Sequence, residues 1–137
     1  MTRRYLLDTN ILSHAIRDPQ GATAKKLQVA AIGDEESLCT SVIVECELVF
    51  GARRVESRTL LERIAKLLDI VSVEAFSRDA VASYAELRTQ LQSMGTPIGP
   101  NDMLIAAHAL ALDCILVTDN EKEFARVPGL IVENWLR

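Results

Sequence analysis

Cysteine is in short supply: Cys39, Cys46 and Cys114 are the three in a chain of 137 residues. An odd, widely spaced set with no C-x-x-C pair builds neither a disulfide framework nor a zinc knuckle. These residues are expected as small core side chains of a protein in a reducing cytoplasm. Histidine is scarcer still, and neither His14 nor His108 stands at a zinc-ligand spacing. His108 falls in an apolar helix and reads as a packing residue, His14 as an exposed one. No apolar run approaches the ~20 residues of a membrane span. The stretch 103–112 is the longest of interest, and His108 interrupts it. At the amino end, Asp8 follows only three apolar residues, so no secretory leader is expected. Positive charge is also lacking, with 15 Lys+Arg against 19 Asp+Glu and a net charge of −4. A protein that coats DNA non-specifically should be basic. Four carboxylates gathered round a cation would account for the whole excess. Repeats, low-complexity tracts and Gly/Ser linkers are missing too, so residues 1–137 are expected to form one domain. A chain of this length buries roughly two-thirds of its unfolded surface and needs no disulfide or structural metal to fold.

What is present is an alternation of short apolar runs with longer helical periodicity. Strands are expected at 5–7, 37–40, 70–73, 115–118 and 130–132. Helices are expected at 10–17, 22–31, 42–54, 57–68, from Ser77 as cap through Leu91, and 100–112 behind Pro100. Hairpin signals such as Asn-Gly are absent from the turns. Strands separated by helices, short and barely alternating, predict an α/β fold: a central parallel sheet of about five short strands covered by helices on both faces. In such sheets, sites lie beyond the carboxyl ends of the strands, near a switch in strand order.

Acids fall where that rule looks. Asp8 ends the first strand, Asp102 opens the helix after the 95–100 Gly-Pro loop, and Asp119 follows the fourth strand. Glu47 sits on a largely apolar helix face with Ile43 and Phe50, where an unpaired carboxylate is costly. Periodicity alone does not choose it over Glu45, which shares a face with Val42 and Val49. Each acid also has a plain structural use: Asp8 as a helix cap, Asp102 as a first-turn acid, Asp119-Asn120 as a turn. Together, four acids at one sheet edge would repel unless protonated or bound to a cation, and their hard oxygens suit Mg²⁺ or Mn²⁺ rather than zinc.

At these residues the sequence resembles the PIN-domain family, specifically its VapC-type toxins. Tyr5-Leu6-Leu7-Asp8-Thr9-Asn10-Ile11 is similar to the family's "LDTN" opening. The block 41–51 resembles its second motif, a Glu followed four positions on by Gly, and that spacing to Gly51 selects Glu47. Pro97-Ile98-Gly99-Pro100-Asn101-Asp102 resembles "PIGPxD". Leu116-Val117-Thr118-Asp119-Asn120 with Glu123-Phe124 resembles the closing "VTxNxxEF" block. No one motif is specific, but four in order over the whole chain are.

The resemblance implies a PIN-like three-layer α/β/α domain and a metal-dependent endoribonuclease. Mg²⁺, with Mn²⁺ able to substitute, would be held by Asp8, Asp102 and Glu47, with the outermost position on Asp119 or Asn120. Thr9 and Asn10 match positions beside the metal. The cation would polarise the phosphodiester and activate a water for in-line attack. It further implies a VapB-like antitoxin partner through which DNA is bound, a homodimer, and single-stranded or loop RNA as substrate. In the subgroup it most resembles, that substrate is the anticodon loop of initiator tRNA. Arg53, Arg54 and Arg58 are candidates for RNA contact, though a solvated helix surface explains them equally well. Two apolar faces are candidates for the dimer: Leu60/Leu61/Ile64/Leu67/Leu68 and Val81/Tyr84/Leu87/Leu91. The rivals are a DNA nuclease and a PIN-fold binding protein without activity. A haloacid-dehalogenase-like phosphatase is disfavoured because position 10 is Asn, and a nucleotide-binding module because no glycine-rich loop follows Asp8.

Overall fold

A computed structural model describes residues 4–33 and 37–136. Strand β1 (Tyr5–Leu7) leads into helix α1 (Thr9–Arg17), then α2 (Ala22–Gly33), β2 (Leu38–Ser41), α3 (Val42–Arg54) and α4 (Arg58–Leu67). The second half runs β3 (Ser72–Glu74), α5 (Ala80–Ser93), α6 (Pro100–Ala111), β4 (Ile115–Val117), α7 (Glu121–Phe124) and β5 (Val132–Glu133). The five strands form one sheet in the order β3-β2-β1-β4-β5, and every pairing is parallel.

That order places the switch at β1. The chain winds outward through β2 and β3, then returns to the other side of β1 for β4 and β5. The carboxyl ends of β1 and β4 therefore border the crevice where such sheets bind ligands. Leu6 and Leu7 point to opposite faces of the sheet, and both are fully buried, so both faces are covered. Helix α1 packs with α2, α3 and α4, while α5 packs on α6.

Local chemistry sets the element ends that matter. Asp8 is the cap of α1, its carboxylate accepting from Thr9 N, and α1 buries Ile11, Leu12, Ala15 and Ile16. Ser41 caps α3 by accepting from Ile43 N, and Pro100 stands in the first turn of α6. Strand β3 lies two residues later than the apolar run 70–73 proposes, because Ile70 sits in a turn after α4 and Val71 fills the core. Strand β5 is likewise displaced to 132–133. Ser77 Oγ accepts from Asp79 N at 3.4 Å, one turn ahead of a helix that starts at Ala80. The one-turn helix α7 has no apolar period long enough to read from sequence.

Three further expectations change. Cys39 and Cys114 are core residues, but Cys46 is exposed. On α4, Ile64 is buried and Leu60, Leu61, Leu67 and Leu68 pack against the core, so that face covers its own chain. On α5, Leu87 and Leu91 are also buried, which leaves Tyr84 half-covered and Val81 exposed. His108 is buried with its Nδ1 2.8 Å from Ser41 Oγ and its ring edge-on to Phe76. Burial pushes it below the usual histidine range. Among the described residues no helix is long and apolar enough to cross a membrane.

Phe124, fully buried, is the anchor of α7. Phe124→Ala should cost about 3–5 kcal/mol in urea unfolding. A loss below about 1 kcal/mol would show that the ring does not hold this turn in place.

Candidate active site

Asp8 is the most buried acid of the site, at 3% exposure. Its Oδ1 accepts from Thr9 N at 2.8 Å, and its Oδ2 accepts from the Thr118 hydroxyl at 2.7 Å and more weakly from Asn10 Nδ2 at 3.5 Å. Thr118 Oγ1 in turn accepts from Asn120 N at 3.0 Å, and Asn10 Oδ1 accepts from Asp119 N at 2.9 Å. The ends of β1 and β4 are thus laced together by Thr118 and Asn10. Burial raises the Asp8 pKa, the Thr118 and Thr9 hydrogen bonds oppose this, and the charges of Glu47 and Glu123 add to it.

Glu47 reaches the same point from α3. Its Oε1 accepts from the Thr9 hydroxyl at 2.5 Å and its Oε2 from Asn101 Nδ2 at 3.4 Å. Thr9 therefore touches Asp8 through its backbone and Glu47 through its side chain. Glu45 makes no such link to the acids.

Asp102, half-buried in the first turn of α6, faces Glu123 of α7. Its pKa is pushed up to about 7, first by burial, then by the hydrogen bond to Glu123 and by the charges of Glu123, Asp8 and Glu47. Burial alone would raise Glu123 as well. Hydrogen bonds from Gly99 N (2.9 Å), Asn120 Nδ2 and Asp102, with the Arg126 charge, hold it below its ordinary value.

Asp8, Glu47, Asp102 and Glu123 are therefore the acids that feel one another's charge. Asp119 is not among them: it is exposed and its carboxylate accepts from Asn134 Nδ2 at 3.0 Å. The strand-end rule pointed to the first acid after β4, but the turn aims that side chain outward. Asn120 joins the group as a donor, through its side chain to Glu123 and its backbone N–H to Thr118. The signal for Glu123 in the sequence was its place in the closing block that resembles "VTxNxxEF", three residues after Asn120 and immediately before Phe124. Arg53, Arg54 and Arg58 are all exposed.

The donor set fits a hard divalent cation: every candidate ligand is a carboxylate oxygen, and burial together with the neighbouring acids disfavours the bare charge on Asp102. Among the described residues, no three acid, His or Cys side chains are drawn in closely enough to hold an ion directly together. Mg²⁺ does not need that, since it keeps several waters and takes one or two carboxylates. There is room for such an ion: an open hollow of about 260 Å³ is lined by Glu47, Gly99, Pro100, Asn101 and Asp102. A Cβ at Gly99 would come within 3.5 Å of Asp102 Oδ2.

A parallel sheet with order β3-β2-β1-β4-β5 and acids at its switch point defines a class, and the sequence family agrees. The chain belongs to the PIN-domain family, whose model matches residues 5–130. Within that family it is similar to VapC proteins. It is 38% identical over 135 residues to Ribonuclease VapC2 of Rickettsia felis, covering 96% of this chain and 97% of that one. It is 29% identical over 136 residues to the tRNA(fMet)-specific endonuclease VapC of Shigella flexneri, covering 96% and 98%. Its fold superposes on the crystal structure of VapBC2 from Rickettsia felis bound to a promoter DNA fragment, with TM-score 0.87, 37% identity and coverage of 96% and 98%.

The Asp102 shift carries a pH prediction. The folded protein binds this proton more tightly than the unfolded chain, whose ordinary value is 3.8. Metal-free stability should therefore fall as pH rises from about 4 through about 7. Asp102→Asn should remove most of that slope and be about 1–2 kcal/mol more stable than the parent at pH 8, a figure discounted because the group is half exposed. Parallel stability curves for the two proteins, measured in EDTA, would place the proton elsewhere.

Proposed function

We propose that this protein is a divalent-cation-dependent endoribonuclease and the toxin of a toxin–antitoxin pair, cleaving single-stranded or loop RNA. The observation that supports the reading is the link of Asp8 to Glu47 through Thr9 at the sheet's switch point, with the charges of Glu47 and Glu123 felt at Asp8 and Asp102. The similarity to proteins named ribonuclease and endonuclease supports it.

A cation bound there would supply Lewis-acid polarisation of the phosphodiester and an activated water. The chain's own residues do the rest. Thr118 and Thr9 N fix the Asp8 carboxylate, Thr9 and Asn101 orient Glu47, and Gly99 N with Asn120 hold Glu123. The Asp102–Glu123 pair is a proton reservoir near neutral pH. Hydrolysis forms a P–O bond to water and breaks the bond to the 3′-oxygen, which takes a proton and leaves as hydroxyl, while the 5′ side retains phosphate.

By similarity to the Shigella flexneri tRNA(fMet)-specific endonuclease, initiator tRNA is the first substrate to try. A VapB-like antitoxin is the proposed partner, with DNA contacted through it, a reading supported by the similarity to the Rickettsia felis VapBC2 complex bound to a promoter fragment. An apolar groove of about 340 Å³ among α1, α2 and α4, lined by Ala15, Ile16, Ala24 and Leu67 with Arg63 and Lys66 at its rim, supports docking of such a partner's segment. We further propose a cytoplasmic homodimer. The α4 face packs largely against its own core, whereas Val81 of the α5 face stays exposed and is available to that interface.

Asp8→Asn and Asp102→Asn should each lower Mg²⁺-dependent RNA cleavage by about a hundredfold or more while preserving the fold. Glu47→Gln should lower it far more than Glu45→Gln. Full activity of purified Asp8→Asn removes that residue from the chemistry, and cleavage of DNA in preference to RNA makes the protein a DNA nuclease instead.

A further inference from the structure

A second, narrower hollow of about 150 Å³ leaves the acids and runs between α1 and α3. Thr9, Ser13 and Arg17 line it from α1, at the four-residue spacing of one helical face. Glu47, Gly51 and Arg54 line it from α3, spaced four and then three residues along one helical face. Each helix thus carries the hollow from a residue in the acid network to an arginine, about 10–12 Å further on at 1.5 Å per residue. Between these ends the floor is apolar, formed by Ile16, Leu48, Ala52 and Ile64.

Two features make this more than a crease. Arg17 and Arg54 are both exposed, and among the described residues the salt bridge is Arg4–Glu74, so neither has an acidic partner. Gly51 sits inside α3 although glycine weakens a helix interior, and a Cβ built there meets nothing within 4 Å. Any larger side chain at 51 would project into the hollow, so glycine keeps it open. In a chain of net charge −4, two unpaired guanidiniums at the far end of a trench that starts at Glu47 and Thr9 mark where a polyanion can be gripped.

We propose that this hollow is the subsite for single-stranded RNA adjoining the scissile phosphate, with Arg17 and Arg54 holding backbone phosphates and the floor beside Gly51 receiving a sugar or base. The inference rests on the ribonuclease reading and deepens it. The span suits about three stacked nucleotides at ~3.4 Å each. Planar guanidiniums suit phosphate oxygens through paired donors. The charge complementarity favours RNA over a protein segment, for which the larger apolar groove among α1, α2 and α4 is the better seat.

The test is binding of a short, unstructured, labelled oligoribonucleotide to protein carrying Asp8→Asn, which keeps the probe intact. Arg17→Ala and Arg54→Ala should each weaken binding by about three- to tenfold, and each should lower the slope of log affinity against log salt by about 0.7. Gly51→Leu should weaken binding with the salt slope unchanged, because it fills space without removing charge. Arg88→Ala, on α5, should leave binding as it was. In the cleavage-competent protein the arginine variants should raise KM and spare kcat. Should Gly51→Leu fail to fold, the two surface arginines still decide the matter. Parental affinity and salt slope in the Arg17/Arg54 double variant would overturn the proposal, the hollow then belonging to a protein partner or to none. Failure of the ribonuclease reading looks different: the parent protein would cleave no RNA with Mg²⁺ or Mn²⁺.

Discussion

A carboxylate buried as deeply as Asp8 must be held on every side, and the site is organised by what holds it. Thr118 donates from the end of β4, Thr9 N from the first turn of α1, and Asn10 from one residue further along. These partners lower the cost of a charge that burial opposes. They also join the two strands at which the sheet changes direction, so one network fixes the carboxylate and the crevice. The same threonine hydroxyl receives Asn120 N and so sets the turn from which α7 presents Glu123. Removing Asp8 would leave a hub of donors without their acceptor.

The second constraint is mutual repulsion. Four acids from the end of β1, α3, α6 and α7 lie near enough to feel one another's charge, and among the described residues the cation charge acting on Glu123 is that of Arg126. The fold meets this by letting Asp102 and Glu123 share a proton while backbone and amide donors favour the charge on Glu123. A site whose burial and crowded carboxylates disfavour the bare charge on Asp102 is one that a divalent cation would complete. The trench toward Arg17 and Arg54 addresses the opposite problem, how an acidic site draws in a polyanion.

Much of this was legible in the residues. The helix 42–54 and the strand 5–7 match the sequence reading because Ser41 and Asp8 are strong caps beside unbroken apolar runs. The parallel sheet followed from alternation without hairpin turns. Glu47 was singled out by the resemblance of its spacing to Gly51 to the family's second motif, where helical period alone left Glu45 open. Legibility failed where geometry overrides order along the chain. Asp119 lies nearest the strand end, but its turn aims it at Asn134, and Glu123 enters from a helix too short to show a period. The apolar face of α4 could equally have covered the sheet or been spare surface, because a sequence does not say which helix covers which core.

The central claim is that Asp8, Glu47, Asp102 and Glu123 form one cation site and that Asp119 stands outside it. Calorimetric titration of Mn²⁺ into the parent, Glu123→Gln and Asp119→Asn proteins tests it most directly. The account predicts that Glu123→Gln weakens Mn²⁺ binding by about tenfold or more, the loss of one charged ligand, while Asp119→Asn binds as the parent does. Loss of binding in Asp119→Asn with Glu123→Gln unaffected would contradict it.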